Sequence, residues 1–206
     1  VNSKGQNRII VSAGTNRMYT EEYIRSVLEK SEAGDFVLLQ NEINMVGEII
    51  RLSHEKGCRV VFNASPIPGK PEELPLELVD IFMVNELEAA ALAGTSTEGD
   101  FRDILKALQK KYPKAAIVMT LGKEGVFYGY KEEFYSHPIF KVNAVDTTAA
   151  GDTFCGYFLA ALCAEKSVET ALREASAASA MAVSAKGAAP SIPVHSAVEE
   201  WLCGRS

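Results

Sequence analysis

The chain has 206 residues, of which 47% are hydrophobic, and its formal net charge at pH 7 is −6. This length and hydrophobic fraction allow one substantial core, so we predict a single domain over residues 1–206. The acidic balance argues against a nucleic-acid-binding protein, and no run of 18 apolar residues indicates a membrane span.

Short apolar runs alternate with longer helical patterns, which is typical of a mainly parallel sheet covered by helices. The predicted strands are Arg8–Val11, Phe36–Leu39, Arg59–Phe62, Ile81–Val84 and Ala116–Leu121. The predicted helices between them are Glu21–Lys30, Met45–Lys56, Glu86–Leu92 and Phe101–Lys111. Gly57 and Gly94 stand where a left-handed residue would end a helix.

After Gly122 the apolar period changes to two, so Val126–Tyr130 and Glu133–His137 predict a β-hairpin at one edge of the sheet. The last third is helical. One helical face starts at Phe154, and an Ala-rich helix follows between Ala171 and Lys186. Glycine and two prolines in Gly187–Pro193 then break the helical pattern, and a final helix is predicted over His195–Leu202.

The cysteines do not have the spacing of a metal site. Cys58, Cys155, Cys163 and Cys203 form no CxxC pair, and the three histidines are scattered. Buried structural thiols in a reducing compartment explain them best. The polar N-terminus also lacks the apolar core of a signal peptide. We therefore expect a cytosolic protein.

The stretch Val145–Phe154 carries the strongest functional signal. Ala149, Ala150 and Gly151 open directly into a helical face, so backbone N–H groups at a helix N-terminus can hold an anion there. The carboxylate of Asp152 lies in the same turn, which suggests a proton acceptor beside a transferring phosphoryl group. Taken alone, Asp152 could equally be an ordinary first-turn residue favoured by the helix dipole.

Polar residues follow four of the predicted strands, at the sheet edge where ligands gather in open α/β folds. The segments are Gln40–Glu42, Asn63–Pro66, Asn85–Glu88 and Thr120–Gly125. Each residue has an alternative explanation as a helix cap, a first-turn acid or a turn glycine. Their conjunction nevertheless favours one shared ligand site. No P-loop motif and no G-x-S-x-G elbow is present in the sequence.

These motifs resemble the ribokinase-like (pfkB-type) family of carbohydrate kinases over nearly the whole chain. Asp146–Asp152 is similar to the family's D-T-x-[GA]-A-G-D signature, Asn85–Ala89 to its N-E-x-E-A motif, and Asn63–Pro66 to its N-P-A-P turn with one substitution. The resemblance implies an α/β fold, a ribokinase-like three-layer sandwich in which a mainly parallel sheet carries helices on both faces. It also implies that the family's N-terminal strands and lid are missing from this sequence.

By the same resemblance, the activity would be ATP-dependent phosphorylation of D-ribose to ribose 5-phosphate, with ATP, Mg²⁺ and K⁺ as cofactors. Asp152 would be the catalytic base, Glu42 and Asp152 would bind the sugar, and the amides of Ala149, Ala150 and Gly151 would form an anion hole. The nucleotide-binding residues would be Asn85, Glu88, Thr120, Gly122, Gly125, Gly151 and Ser176. The ligands of the monovalent cation would be Asp146, Thr148, Ala182, Ala185, Gly187 and Ser191.

Two alternatives stay open. The chain could be a related pfkB-type sugar or nucleoside kinase, because the resemblance implies that most sugar-selecting residues lie in the missing part. It could also be a catalytically impaired fragment that retains nucleotide binding. In either case the missing strands would leave an open sheet edge, which favours pairing of two copies into a homodimer.

Overall fold

The computed structural model describes residues 12–205. They form one six-stranded sheet and seven α-helices. The strands are β1 (Phe36–Gln40), β2 (Arg59–Asn63), β3 (Ile81–Asn85), β4 (Ala116–Thr120), β5 (Val126–Tyr130) and β6 (Glu133–His137). The helices are α1 (Glu21–Leu28), α2 (Val46–Glu55), α3 (Glu86–Ala93), α4 (Phe101–Lys111), α5 (Ala150–Cys163), α6 (Val168–Val183) and α7 (His195–Cys203). No helix in this range combines the length and apolar character that a membrane span needs.

Every predicted strand and helix that falls on the described residues is present, and the predicted strand Arg8–Val11 lies outside them. The bounds of the Ala-rich helix were wrong at both ends. It begins earlier, at Val168, because the Ser167 side chain accepts a hydrogen bond from Thr170 N and caps it. It ends earlier, at Val183, and the chain then turns toward Gly187, which has a positive φ of 96°.

The sheet order follows the chain, from β1 at one edge to β6 at the other. Strands β1 to β4 are parallel, and β5 and β6 add antiparallel as the predicted hairpin. In this register Gln40 pairs with Asn63, and Asn85 pairs with Thr120. The predicted polar segments therefore begin next to one another at the carboxyl ends of the parallel strands.

The sheet separates two hydrophobic cores, because alternate side chains of each strand point to opposite faces. Val60 and Phe62 of β2 are buried in the core beneath α1–α4, whereas Val61 is buried in the core with α5 and α6. The last helix, α7, packs outside α6 through Val198 and Leu202. This gives the three layers of the predicted sandwich.

Strand β1 lies at one edge of the sheet that residues 12–205 form. No residue between 12 and 205 pairs with its outer side. Leu38 is 45% exposed, although its register partner Val61 on the neighbouring strand is fully buried. The apolar face of the sheet therefore continues to the edge without being covered by the described part of the chain.

Candidate active site

The predicted anion-binding turn is an exposed helix N-terminus. Helix α5 begins at Ala150, directly after Ala149, whose φ of 60° is left-handed and uncommon for a residue with a side chain. Helical bonding starts with Thr153 N, which donates to Ala149 O at 2.9 Å. The backbone N–H groups of Gly151 and Asp152 find no acceptor within residues 12–205, and both residues are exposed. These two amides are available to an anion.

The amide of Ala150 differs from its neighbours, because it already donates to Thr147 O at 3.3 Å. Its predicted share in the anion hole would require this long bond to be shared or exchanged when a ligand binds, whereas the Ala149 amide donates to no acceptor within residues 12–205. Their roles stay predictions.

The start of α5 meets the carboxyl ends of the parallel strands. Gln40 Nε2 at the end of β1 donates to Asp152 Oδ1 at 3.3 Å, and Asn63 Nδ2 at the end of β2 lies 3.5 Å from Cys155 Sγ. A cleft of about 50 Å³ lies between the start of α5 and the carboxyl ends of β2, β3 and β4. Its polar lining consists of Asn63, Asn85, Thr120, Gly151 and Cys155. The structure therefore brings three strand ends and the helix N-terminus to one cleft.

Asn85 and Glu88 form a capping box at the start of α3. Asn85 Oδ1 accepts from Glu88 N at 2.9 Å, and Glu88 Oε2 accepts from Asn85 N at 2.8 Å. The alternative interpretation of these residues as helix caps is thus confirmed. Asn85 also lines the cleft and is exposed, whereas Glu88 is buried and does not line it. Their nucleotide-binding roles stay predictions.

The turn after β4 contains two glycines, and only one of them is required by close packing. Gly122 has a φ of 52°, and a Cβ built on it would meet nothing within 4 Å. Gly125 has a φ of 99°, and its Cβ would lie 2.2 Å from His137 O at the end of β6. The buried Gly125 is therefore required by close backbone packing, independently of the nucleotide contact predicted for it.

Asp146 joins the loop before α5 to the break after α6. Its Oδ1 accepts from Thr148 N at 3.0 Å, and its Oδ2 accepts from Gly187 N at 3.1 Å. Hydrogen bonds from the Thr148 side chain and backbone, and then from the Gly187 backbone, hold the pKa of Asp146 below its ordinary value. Val145 N also donates to Val183 O at 2.7 Å. The two segments that carry the predicted cation ligands are thus held together beside α5.

Glu42 and Ser176 do not line the cleft. Glu42 is exposed in the loop after β1, two residues beyond Gln40. Ser176 is half-buried on α6, one turn before Ser179, whose Oγ donates to Ala150 O at 3.0 Å. Their assignment to the sugar and the nucleotide stays a prediction.

The expectation of buried thiols is confirmed for Cys58 and Cys155 and is wrong for Cys163 and Cys203, which are exposed. Cys163 lies at the end of α5, beyond the buried face of the helix. Burial raises the pKa of Cys155 to about 12, and the nearby carboxylate of Asp152 adds to the effect. The cleft therefore contains a neutral thiol at physiological pH. The cytosolic setting inferred from the cysteines stays a prediction.

A larger cavity, of about 430 Å³, lies near the N-terminus of α4. Its lining includes the carboxylates of Glu86, Asp100 and Glu124. The lining guanidinium of Arg102 is already paired with Asp100 at 3.2 Å. These carboxylates would repel a polyphosphate. The smaller cleft, which the unpaired amide of Gly151 lines, is therefore the better candidate on chemical grounds, despite its size.

Known proteins are similar to this chain in architecture and in sequence. A family model for the pfkB family carbohydrate kinases matches residues 1–195. The ribokinase of Haemophilus influenzae is 35% identical over 206 residues, which cover 98% of this chain and 67% of the relative. The crystal structure of ribokinase from Thermotoga maritima aligns with a TM-score of 0.84 and 35% identity, covering 98% of this chain and 67% of that one.

A second solved structure is that of Arabidopsis thaliana ribokinase in complex with ribose and ATP. It aligns with a TM-score of 0.81 and 32% identity, covering 97% of this chain and 66% of that one. The chain thus spans about two thirds of the length of these relatives.

Proposed function

The chain belongs to the pfkB family of carbohydrate kinases, which transfer phosphate to an alcohol group of a sugar, and we propose that its substrates are D-ribose and ATP. The product would be ribose 5-phosphate. The ribokinase relatives, one of them solved with ribose and ATP, support this choice of substrates. The observation that carries the proposal is the pair of exposed amides at Gly151 and Asp152, next to a carboxylate at the ends of the parallel strands.

In the proposed reaction, the oxygen of the sugar's 5-hydroxyl attacks the γ-phosphorus of ATP, and the Asp152 carboxylate accepts the proton of that hydroxyl. The bond from that phosphorus to the bridging oxygen breaks, and ADP leaves. Backbone donors from Gly151 and Asp152, joined by those of Ala149 and Ala150, would stabilise the negative charge on the transferring group. In other enzymes, the loss of one such donor lowers kcat by roughly 10²–10³-fold.

The nucleotide would lie along the strand ends, where Asn85 and Thr120 line the cleft with Gly151. We assign Gly122, Gly125 and Ser176 to the adenine side by resemblance. We assign Mg²⁺ to Asn85 and Glu88, through water, by resemblance: the cap bond uses only Oε2 of the buried Glu88 carboxylate and leaves Oε1 for such a contact. The ion would neutralise charge on the phosphates.

We also propose a K⁺ site in the two segments that Asp146 joins. The candidate ligands fit a hard cation, because they offer one carboxylate, the buried hydroxyl of Ser191 and backbone carbonyls, with oxygen as the only ligand type. The bound ion would supply positive charge beside the anion hole. The carbonyl ligands would come from Thr148, Ala182, Ala185 and Gly187.

Ribose is expected to be phosphorylated faster than other sugars, and K⁺ is expected to raise the rate. We would measure ADP release by the purified chain with D-ribose, 2-deoxyribose, D-fructose and adenosine, in K⁺ or in tetramethylammonium buffer. A preference for another acceptor would identify a related kinase. Calorimetric binding of ATP without turnover of any acceptor would identify the impaired fragment, and absence of ATP binding would contradict the site itself.

Gly151→Ala is expected to lower kcat/KM for ATP by about 10–100-fold without loss of stability, because a misplacement of about 1 Å in an active site can cost that much. A Cβ at Gly151 would meet nothing within 4 Å, so only an approaching ligand can be obstructed. Gly156→Ala, on the same helix and equally free of contacts, is the control and should keep full activity. Equal activity of the two variants in steady-state assays would contradict a phosphate at Gly151.

We propose that two copies form a homodimer through the edge of β1 that no residue between 12 and 205 covers. An exposed edge without proline or charge is prone to strand pairing, and an edge lysine opposes it. Sedimentation equilibrium should show a dimer for the native chain and a monomer for Leu38→Lys. Val27→Lys replaces a similarly exposed valine, at 49%, on α1 and should remain dimeric. A native chain that is monomeric at all concentrations would contradict this proposal.

A further inference from the structure

We infer that Gln40 is a positioning residue for Asp152: its side-chain amide holds one carboxylate oxygen and leaves the other to accept the proton of the sugar. The inference rests on the proposed role of Asp152 as the base. It adds a residue of β1 to the site, and that residue binds neither nucleotide nor metal in the proposed arrangement.

The contact joins two elements that are far apart in the chain. Gln40 Nε2 donates to Asp152 Oδ1 at 3.3 Å across a sequence separation of 112 residues. An amide nitrogen can only donate, and a donor to a carboxylate makes a charge-assisted bond. The distance is slightly long for an N–H···O bond, as is common for catalytic hydrogen bonds before substrate binds.

The donor is fixed in place by the sheet. Gln40 is the last residue of β1, it is half-buried, and its backbone is in register with Asn63 of β2. Asn63 makes the corresponding contact to Cys155, which lies three residues after Asp152 and so on the same side of the helix. The first turn of α5 is therefore held at two points by two neighbouring strand ends.

The Asp152 carboxylate, which accepts this bond, has no other side-chain donor in the described part of the chain to orient it. No other side chain among residues 12–205 donates to the Asp152 carboxylate, and the residue is exposed. An exposed aspartate without such a bond can adopt several rotamers. Because Gln40 bonds to Oδ1, the productive oxygen would be Oδ2, held in one orientation when the sugar arrives.

Two substitutions of equal length separate positioning from packing. Gln40→Met removes the donor, and we expect kcat to fall about tenfold with KM for ATP unchanged, since Asn85 and Thr120 are untouched. Gln40→Glu also removes the donor and adds a negative charge beside Asp152, so a larger loss is expected. A purely structural role would give the opposite order, because glutamate keeps the shape and polarity of glutamine at a half-buried position.

Gln109→Met is the matched control. Gln109 lies on α4, and its Nε2 is buried without a hydrogen-bond partner among the described residues. Its replacement should leave kcat unchanged.

A second test needs no turnover and follows the side-chain amide resonances of the 206-residue chain in ¹⁵N–¹H spectra. Asp152→Ala should shift the NH₂ resonances of Gln40 and leave those of Gln109 in place. The inference is overturned if the Gln40 resonances do not move, or if both Gln40 variants keep full kcat while Asp152→Asn is inactive. Full activity of Asp152→Asn would instead remove the proposed base, and the positioning role with it.

Discussion

Asp152→Asn is expected to lower kcat for sugar phosphorylation by roughly 10²–10⁴-fold, the usual contribution of a general base. Asparagine has the same shape and can still accept the bond from Gln40, but it cannot take a proton at neutral pH. Because Asn85 and Thr120 line the proposed nucleotide cleft from other strands, ATP affinity should change little. Steady-state rates with ribose, together with calorimetric titration of ATP, would measure the two effects separately.

A control for this substitution exists on α4. Asp103 is the third residue of its helix, as Asp152 is of α5, and both are exposed first-turn acids. Asp103→Asn therefore removes the same favourable interaction with a helix N-terminus, worth about 0.3–1 kcal/mol, at a distance from the cleft. It should keep the native kcat. If Asp152→Asn behaved like this control, Asp152 would be only the first-turn acid of the alternative interpretation.

Gly125→Ala is expected to lower the free energy of unfolding by roughly 2–5 kcal/mol, through backbone strain and overpacking together. Its φ of 99° with ψ of −137° is nearly restricted to glycine. The added methyl would also lie 2.2 Å from His137 O and 2.9 Å from Pro138 Cα. Both are backbone atoms, so no flexible side chain can move aside. Urea denaturation curves of the variant and the native chain would give the difference.

Gly122→Ala, three residues earlier in the same turn, provides the comparison. It also has a positive φ, but its Cβ would meet nothing within 4 Å, so we expect a loss of only about 1 kcal/mol. Similar stabilities of the two variants would contradict the close approach of the β4–β5 turn to the end of β6. The requirement for glycine at position 125 would then have to come from the ligand.

Local patterns were sufficient for most of the fold because its central strands are buried on both faces. Val60, Val61 and Phe62 are fully buried in consecutive positions, and such a continuous apolar run between helical patterns is specific to a parallel central strand. The order of the strands in the sheet follows their order in the chain, so each strand's neighbours could be predicted from the sequence alone. The start of α6 was missed because the cap at Ser167 precedes the Ala-rich region, and its signal is a single side chain.

The sequence predicted most of the polar residues at the candidate site, but it did not predict which of them contact one another. Small residues before an apolar helical face were enough to indicate unpaired amides at the start of α5, but not that the Ala150 amide is bonded while those of Gly151 and Asp152 are exposed. The bond from Gln40 to Asp152 depends on which strand α5 lies over, and no pattern in either segment encodes that. Asn85 shows a different limit, because the same amino acid serves as a helix cap and as a lining residue of the cleft. A single sequence cannot separate two roles that the structure combines.

The most direct measurement is a titration of the ¹⁵N-labelled chain with a non-hydrolysable ATP analogue and Mg²⁺, followed through the backbone amide resonances. A phosphate held by the N-terminus of α5 should shift the amides of Gly151 and Asp152 most strongly, with smaller shifts at Asn85 and Thr120. Saturable shifts centred on Asp100 and Arg102, in the larger cavity near α4, with none at Gly151 and Asp152, would contradict it.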